Sequence, residues 1–399
     1  MMIAKTQVQG PAIVWWLMLT QALSLSTAPL MVLVGGLVGQ QLHPQPGFAT
    51  LPVALMIIGT AVSALPAAKA AQRWGRRPVF LTSSGVGIVS SVLACIAIDG
   101  QSFWLFCLAA IGFGAVIAVI QQSRFVAMDA VAADQKPVVA ARLLLAGLLS
   151  AFIGPELTSL AQWFPALPGF AAAFMGLAVL FVISGAVLFL VLPPLRLAQQ
   201  NHDVAQRSLA ELFSQPTLWL AVAAAAGGYG VMAYVMTATP LSMTVQYGYD
   251  VNDAKWVIQS HIAAMFLPSL ISGQLIRWLG AWNMVLAGVL IYSLTLLVAW
   301  WDQSLIHYWV GLVLLGLGWN LLFVAGTSVL PQCYEPHEAS RVQGINDLLV
   351  FAFQAIGALA SGAVLLLLGW HGLLLSSLPI LALLCLLLWR VPARRLAIS

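Results

Sequence analysis

Two short spacings in this chain could do chemistry. Met232-Ala233-Tyr234-Val235-Met236 and His261-Ile262-Ala263-Ala264-Met265 each set two soft donors four residues apart. On a helix that spacing puts both side chains on one face, one turn from each other. Thioether and neutral imidazole are polarizable ligands that suit Cu(I), and hard cations would gain little from them. A thioether needs no deprotonation, so it can release a monovalent ion as readily as it binds one. Zinc would call for clustered Cys, His or carboxylate ligands, and Cys95, Cys107, Cys333 and Cys385 are scattered. With 12 Met in 399 residues, one Met pair alone reads as core filling. Two motifs at matching depth point to a ligand path.

The elements that must hold these residues are set by composition. The chain is 61% hydrophobic and 7% charged, against about 25% charged residues in soluble domains, so lipid must solvate its exterior. Apolar runs of roughly 20 residues, enough to cross about 30 Å of hydrocarbon, recur twelve times. They lie near 12 to 38, 50 to 71, 78 to 98, 102 to 122, 138 to 163, 170 to 193, 217 to 243, 255 to 276, 282 to 301, 307 to 330, 342 to 369 and 372 to 390. The first is too long for a signal-peptide core and is read as a retained helix. Helices seven and eight are consecutive and are expected as antiparallel neighbours. Met236 and His261 then lie roughly seven residues from their connecting loop, and Met232 and Met265 roughly eleven, or about 10 and 16 Å deep.

Charge placement orients the bundle. With the N-terminus inside, every Lys and Arg except Lys255 falls in a cytoplasmic segment, as the retention of positive charge on that side requires. The reading is therefore a multi-pass protein of the bacterial cytoplasmic membrane with both termini cytoplasmic. The net charge of +4 belongs to this topology and not to nucleic-acid binding. Residues 194-216 form the longest polar interruption and divide an N-terminal six-helix half, 1-193, from a C-terminal one, 217-399. Within that linker, Leu209, Leu212 and Phe213 beside Arg207 and Glu211 suit a short helix at the headgroup boundary.

Equivalent loops in the two halves look alike, as internal repeats of transporters do. Ala68-Lys69-Ala70-Ala71-Gln72-Arg73-Trp74-Gly75-Arg76-Arg77 joins helices two and three, and Gly273-Gln274-Leu275-Ile276-Arg277-Trp278-Leu279-Gly280 joins eight and nine. Each is expected to turn on a glycine of positive φ. The first loop resembles the G-x-x-x-D-R-x-G-R-R signature of the major facilitator superfamily, with Arg73, Gly75, Arg76 and Arg77 matching as the gating loop. Ala68 and Gln72 depart from it, so the charge network that the signature aspartate joins is not carried over. The resemblance implies an all-α membrane protein of twelve helices in two pseudo-symmetric six-helix bundles. Within the superfamily, Met232, Met236, His261 and Met265 resemble the metal path of the CcoA-like copper importers. That branch implies copper import supplying assembly of cbb3-type cytochrome oxidase, with a cytoplasmic copper chaperone as partner. Riboflavin importers share the branch without these motifs, so the motifs favour copper.

Other polar residues in the spans are costly to place in lipid and mark function by default. Glu156 is a candidate for proton or metal admission, against a structural hydrogen-bonding role. Asp347, beside Asn346, either titrates during coupling or is a solvated helix end. Met31 occupies the pseudo-symmetric counterpart of the helix-seven site and is a further ligand candidate, against lipid contact. Cys333 and His337 form a C-x-x-x-H spacing suited to releasing soft metal. Gly227, Gly228 and Gly230 on one side of the Met pair and Pro240 on the other are candidate hinges. The expected function is copper uptake by alternating access, by a monomer with no prosthetic group, copper being cargo. The alternative is an organic solute, by riboflavin-like uptake or drug efflux, for which Trp15, Trp16, Trp319 and Asn320 would line a cavity for a flat heterocycle. A third reading is a membrane protein that holds copper without transporting it. No phosphate loop, nucleophile elbow or metalloprotease motif supports an enzyme.

Overall fold

The computed structural model describes residues 12–129, 131, 136–192 and 207–391, and among them every regular element is helical. The first half comprises α1, in two pieces (Ala12–Leu25 and Thr27–Leu42), α2 (Leu51–Trp74), α3 (Arg76–Asp99), α4 (Phe103–Ile120), α5 (Lys136–Glu156) and α6 (Ala171–Val191). The second comprises α7 (Pro216–Gln246), α8 (starting as Val251–Phe266), α9 (281–301), α10 (Leu305–Val329), α11 (339–368) and α12 (370–390). Helices eight and nine run into one another through Gly280, and eleven and twelve through Gly369, where the backbone leaves the helical region. The boundary at 193, and the linker as far as residue 206, lie outside the described residues.

The packing is that of helices in lipid. Small residues face inward, among them Ser84, Ser91, Ser184, Ala94 and Ala110, while Leu190, Trp301, Leu367 and Trp389 point outward. Without a hydrophobic drive between helices, close backbone approach supplies the contact energy. One such approach is where α10 crosses α8: a Cβ on Gly316 would sit 2.5 Å from the His261 carbonyl oxygen.

The repeat is visible in the backbone. Gly75, between α2 and α3, has φ 89° and ψ 162°, and Gly280, between α8 and α9, has φ 73° and ψ 158°. Both expected glycine turns form, in nearly the same conformation. Gly169 and Gly369, at the equivalent loops before α6 and α12, also have positive φ.

The described end of the linker is tied to the second half. Arg207 donates from Nη2 to Glu338 Oε2 at 2.6 Å and from Nε to Glu338 Oε1 at 2.9 Å, and its backbone N–H donates to the same Oε1. The helix here is only Leu209–Leu212, capped by Ser208, and Leu212 is buried. Instead of offering both leucines to headgroups, this segment turns one of them into the protein.

Candidate functional site

Two connected spaces lie between the halves. A vestibule of about 720 Å³ is lined by Gln72, Arg76, Arg124, Tyr334, Gln343 and Asp347 among others, so it opens on the face that carries the basic loops. Behind it is a chamber of about 190 Å³, lined by residues of α1, α2, α4, α5, α7, α8 and α11. Thr60, Gln121, Tyr229 and Phe351 border both. Small-molecule sites commonly measure about 300–1,000 Å³, a size these spaces reach in combination.

The opposite face is closed by contacts between the halves. Gly362 N–H donates to Thr50 Oγ1 at 3.3 Å, and Thr50 Oγ1 donates to the Leu359 carbonyl at 3.4 Å. Leu241 of α7 packs on Gly36 of α1. Lys255 Nζ lies 3.2 Å from Glu156 Oε2 and donates to Ser159 Oγ at 3.2 Å, while Gln259 donates to the Phe152 carbonyl. One sealed face and one open face are the geometry of a carrier arrested at one end of its cycle.

Met232, Met236 and Met265 all line the chamber, and Met56 of α2 adds a fourth thioether from the other half. His261 stands apart from them. Its side chain is fully buried, and Nδ1 lies 2.7 Å from the Leu312 carbonyl oxygen of α10. A carbonyl only accepts, so Nδ1 carries the proton and Nε2 is left with a lone pair, which has no partner among the described residues. The reason is helical phase: Ile262, Met265 and Phe266 border the chamber, while His261 falls on the side of α8 that meets α10. Nor are α7 and α8 close neighbours. The first packs chiefly on α11 and the second on α10 and α5, so the methionines meet across a cavity and not along a shared seam.

Glu156 is in the seal, paired with Lys255 and accepting from Ser159 at 2.8 Å. Asp347 borders the vestibule, accepting from Asn346. Met31 is fully buried against Gly35. In the gating loop, Arg73 lies over the Trp74 ring, Arg76 borders the vestibule, and Arg77 donates to the Phe189 carbonyl at 2.7 Å. Gly228 and Gly230 are contact points, facing Leu322 and Phe353, and Gly227 faces Ile380. π-Helical turns occupy Ala223–Gly227 and Ser242–Gln246, the second just after Pro240. Such turns often mark functional sites. Cys333 is buried, while His337 pairs with Glu335.

Trp15 and Trp16 are exposed on the bundle surface, away from the chamber. Trp319 and Asn320 are buried beside it. The Trp319 ring stacks on Phe323 at 5.1 Å and meets Tyr229 edge-on at 5.1 Å, and Asn320 donates to the Met265 carbonyl at 2.7 Å. Residues that the sequence reading passed over, Met56, Gln121, Tyr229, Phe351 and Gln354, supply much of the lining. The available signal was Gln354, a carboxamide midway along an apolar span.

Twelve helices in two halves, with a chamber between them open to one face, define a secondary transporter. The chain belongs to the Major Facilitator Superfamily, whose family model matches residues 14–346 and again 229–398. Riboflavin transporter RfnT of Brucella anthropi is 34% identical over 371 residues, which is 92% of each chain. The uncharacterized MFS-type transporter YdeG of Bacillus subtilis is 28% identical, over 84% of this chain and 81% of its own. Among solved structures, a bacterial homolog of the human lysosomal transporter Spinster superposes with TM-score 0.72 at 15% identity, covering 97% of both chains. The human organic anion transporter MFSD10 gives 0.66 at 14%, covering 95% of this chain and 100% of its own. These two speak to the fold alone. The superfamily is thereby shown, and the copper-importer branch is not.

Proposed function

We propose that this protein imports riboflavin, or a flat heterocyclic solute of that kind, across the bacterial cytoplasmic membrane by alternating access. The observation that carries the reading is the 34% identity to a riboflavin transporter over 92% of both chains. The chamber supports it, because Tyr229, Phe266 and Phe351 give aromatic rings and no charged side chain among the described residues lines it. The basic loops support a cytoplasmic vestibule, and on that reading the structure is the inward-open, solute-releasing state. The test is uptake of radiolabelled riboflavin by a bacterial strain that cannot make the vitamin, with and without this gene. Saturable uptake that excess unlabelled riboflavin blocks is expected.

A second reading is favoured by one observation: Met232, Met236 and Met265 share a chamber with Met56. Thioethers so gathered would pass Cu(I), and the copper chaperone and cytochrome oxidase assembly belong to this reading. His261, turned toward α10, would take no part in the state seen here. Copper accumulation in the same cells, with no riboflavin uptake, would reverse the order of the two readings.

A further inference from the structure

The chamber contains polar groups that the protein itself does not satisfy. Thr60 and Ser150 spend their hydroxyls on the Met56 and Gly147 carbonyls of their own helices. Gln354 makes no hydrogen bond among the described residues, although it sits midway along α11 and lines the chamber. Gln354 is half-buried and the chamber communicates with the vestibule, so its amide is open to a partner in the chamber, and a solute that binds there must replace the hydrogen bonds water would make. Phe351 precedes it by three residues, hence lies on the same helical face, and also lines the chamber. A planar group lying against the Phe351 ring therefore brings its edge to the Gln354 amide. Tyr229 of α7 offers a second ring to the same space.

We infer that Gln354 is the specificity-determining residue of this carrier, pairing its carboxamide with a lactam or imide edge of a flat, uncharged heterocycle. The inference rests on the proposed riboflavin-type function and deepens it. A carboxamide sets one acceptor beside two donors, so its oxygen can accept from a ring N–H while its NH2 donates to the adjacent ring carbonyl. The pyrimidinedione end of a flavin has that edge. A carboxylate or phosphate in the same place would find no cation among the described residues, whose Arg side chains stop at the vestibule.

The test uses riboflavin and its N3-methyl derivative, which keeps the ring but loses the N–H, with purified full-length wild-type protein and Gln354→Leu. Binding is read from quenching of flavin fluorescence. N3-methylation is expected to weaken wild-type binding by about tenfold, equivalent to about 1.4 kcal/mol. Gln354→Leu should weaken riboflavin binding similarly, and N3-methylation should then cost less than about twofold, because the partner is already gone. Equal loss on methylation in both proteins, or none in wild type, overturns the pairing while leaving the function intact. Should Gln354→Leu fail to fold, the wild-type comparison still decides, since equal affinity for the two flavins is enough to overturn the inference. Wild-type protein that binds neither flavin overturns the proposed function, and the pairing with it.

Discussion

Met232, Met236 and Met265 share one wall space while His261, one turn from Met265, does not, and this separates the two candidate cargoes by experiment. Leu replaces Met at nearly constant volume and usually costs little in packing, but it removes the sulfur. Met232→Leu and Met236→Leu are therefore expected to keep riboflavin uptake within about tenfold, in line with a cost below about 1.5 kcal/mol. A fall in copper accumulation with riboflavin uptake unchanged would instead assign the thioethers to metal. The spacing of these residues was legible in the sequence; the direction of the His261 ring was not, because it depends on which neighbour α8 meets. Glu338 was not foreseen either, since its partner Arg207 is 131 residues away. Hydrogen bonds from Arg207, first among the causes, hold its carboxyl down at about 2, against an ordinary value of 4.5. A carboxyl so depressed contributes stability that is full above the ordinary value and is lost as pH falls through the folded one. Glu338→Gln should thus lower the melting temperature of the detergent-solubilised protein at neutral pH. The gap from wild type should narrow as pH drops from about 4.5 toward about 2; a gap that stays constant over this range would exclude the ion pair as its source.

At the scale of elements, the twelve spans were legible because a lipid-facing helix announces itself by length and apolarity. Their partners were not, because adjacency in sequence does not require contact: α7 leans on α11 and α8 on α10. Helix phase was the second hidden quantity, as the exposed Trp15 and Trp16 show. The glycine turns were legible, and they make a clean prediction. At Gly280 an added Cβ would meet nothing within 4 Å, yet φ is 73° and ψ 158°, a region that is essentially glycine-only and costs about 1–3 kcal/mol for other residues. Gly280→Ala should destabilise the protein by about that amount. Gly344 is the control: it lies within helix α11, also with open space around it, and Gly344→Ala should be neutral or stabilising by a few tenths to about 1 kcal/mol. Chemical unfolding of both variants in micelles checks the pair, and equal destabilisation would show that packing rather than backbone conformation sets the cost.

For the whole molecule, the question is what holds the far face shut. Apolar packing and backbone contacts around Thr50 and Gly362 form the seal, with the Lys255–Glu156 pair at its edge. Glu156 is 60% exposed, and exposed pairs contribute only about 0.2–1 kcal/mol. Glu156→Gln should therefore shift the equilibrium toward the outward-open state by no more than about fivefold. The rate at which an impermeant maleimide labels Ala358→Cys, a buried position packed against α2 near the same seal, reads that shift. A much larger increase would make the pair the principal lock, and an unchanged rate would leave the seal to packing alone.

The uncharged lining of the chamber also has an electrical consequence. A membrane potential acts only on charge that is displaced across it, by about 2.3 kcal/mol for each elementary charge per 100 mV. Among the described residues the chamber walls carry no formal charge, whereas Lys255 at the sealed end pairs with Glu156 of the other half, a contact that parts when that face opens. What a potential can act on is therefore that pair and the Arg76, Arg124 and Asp347 side chains of the vestibule, and not the chamber itself. A neutral cargo adds no charge to either stroke, so loading it would leave the voltage dependence of the carrier unchanged.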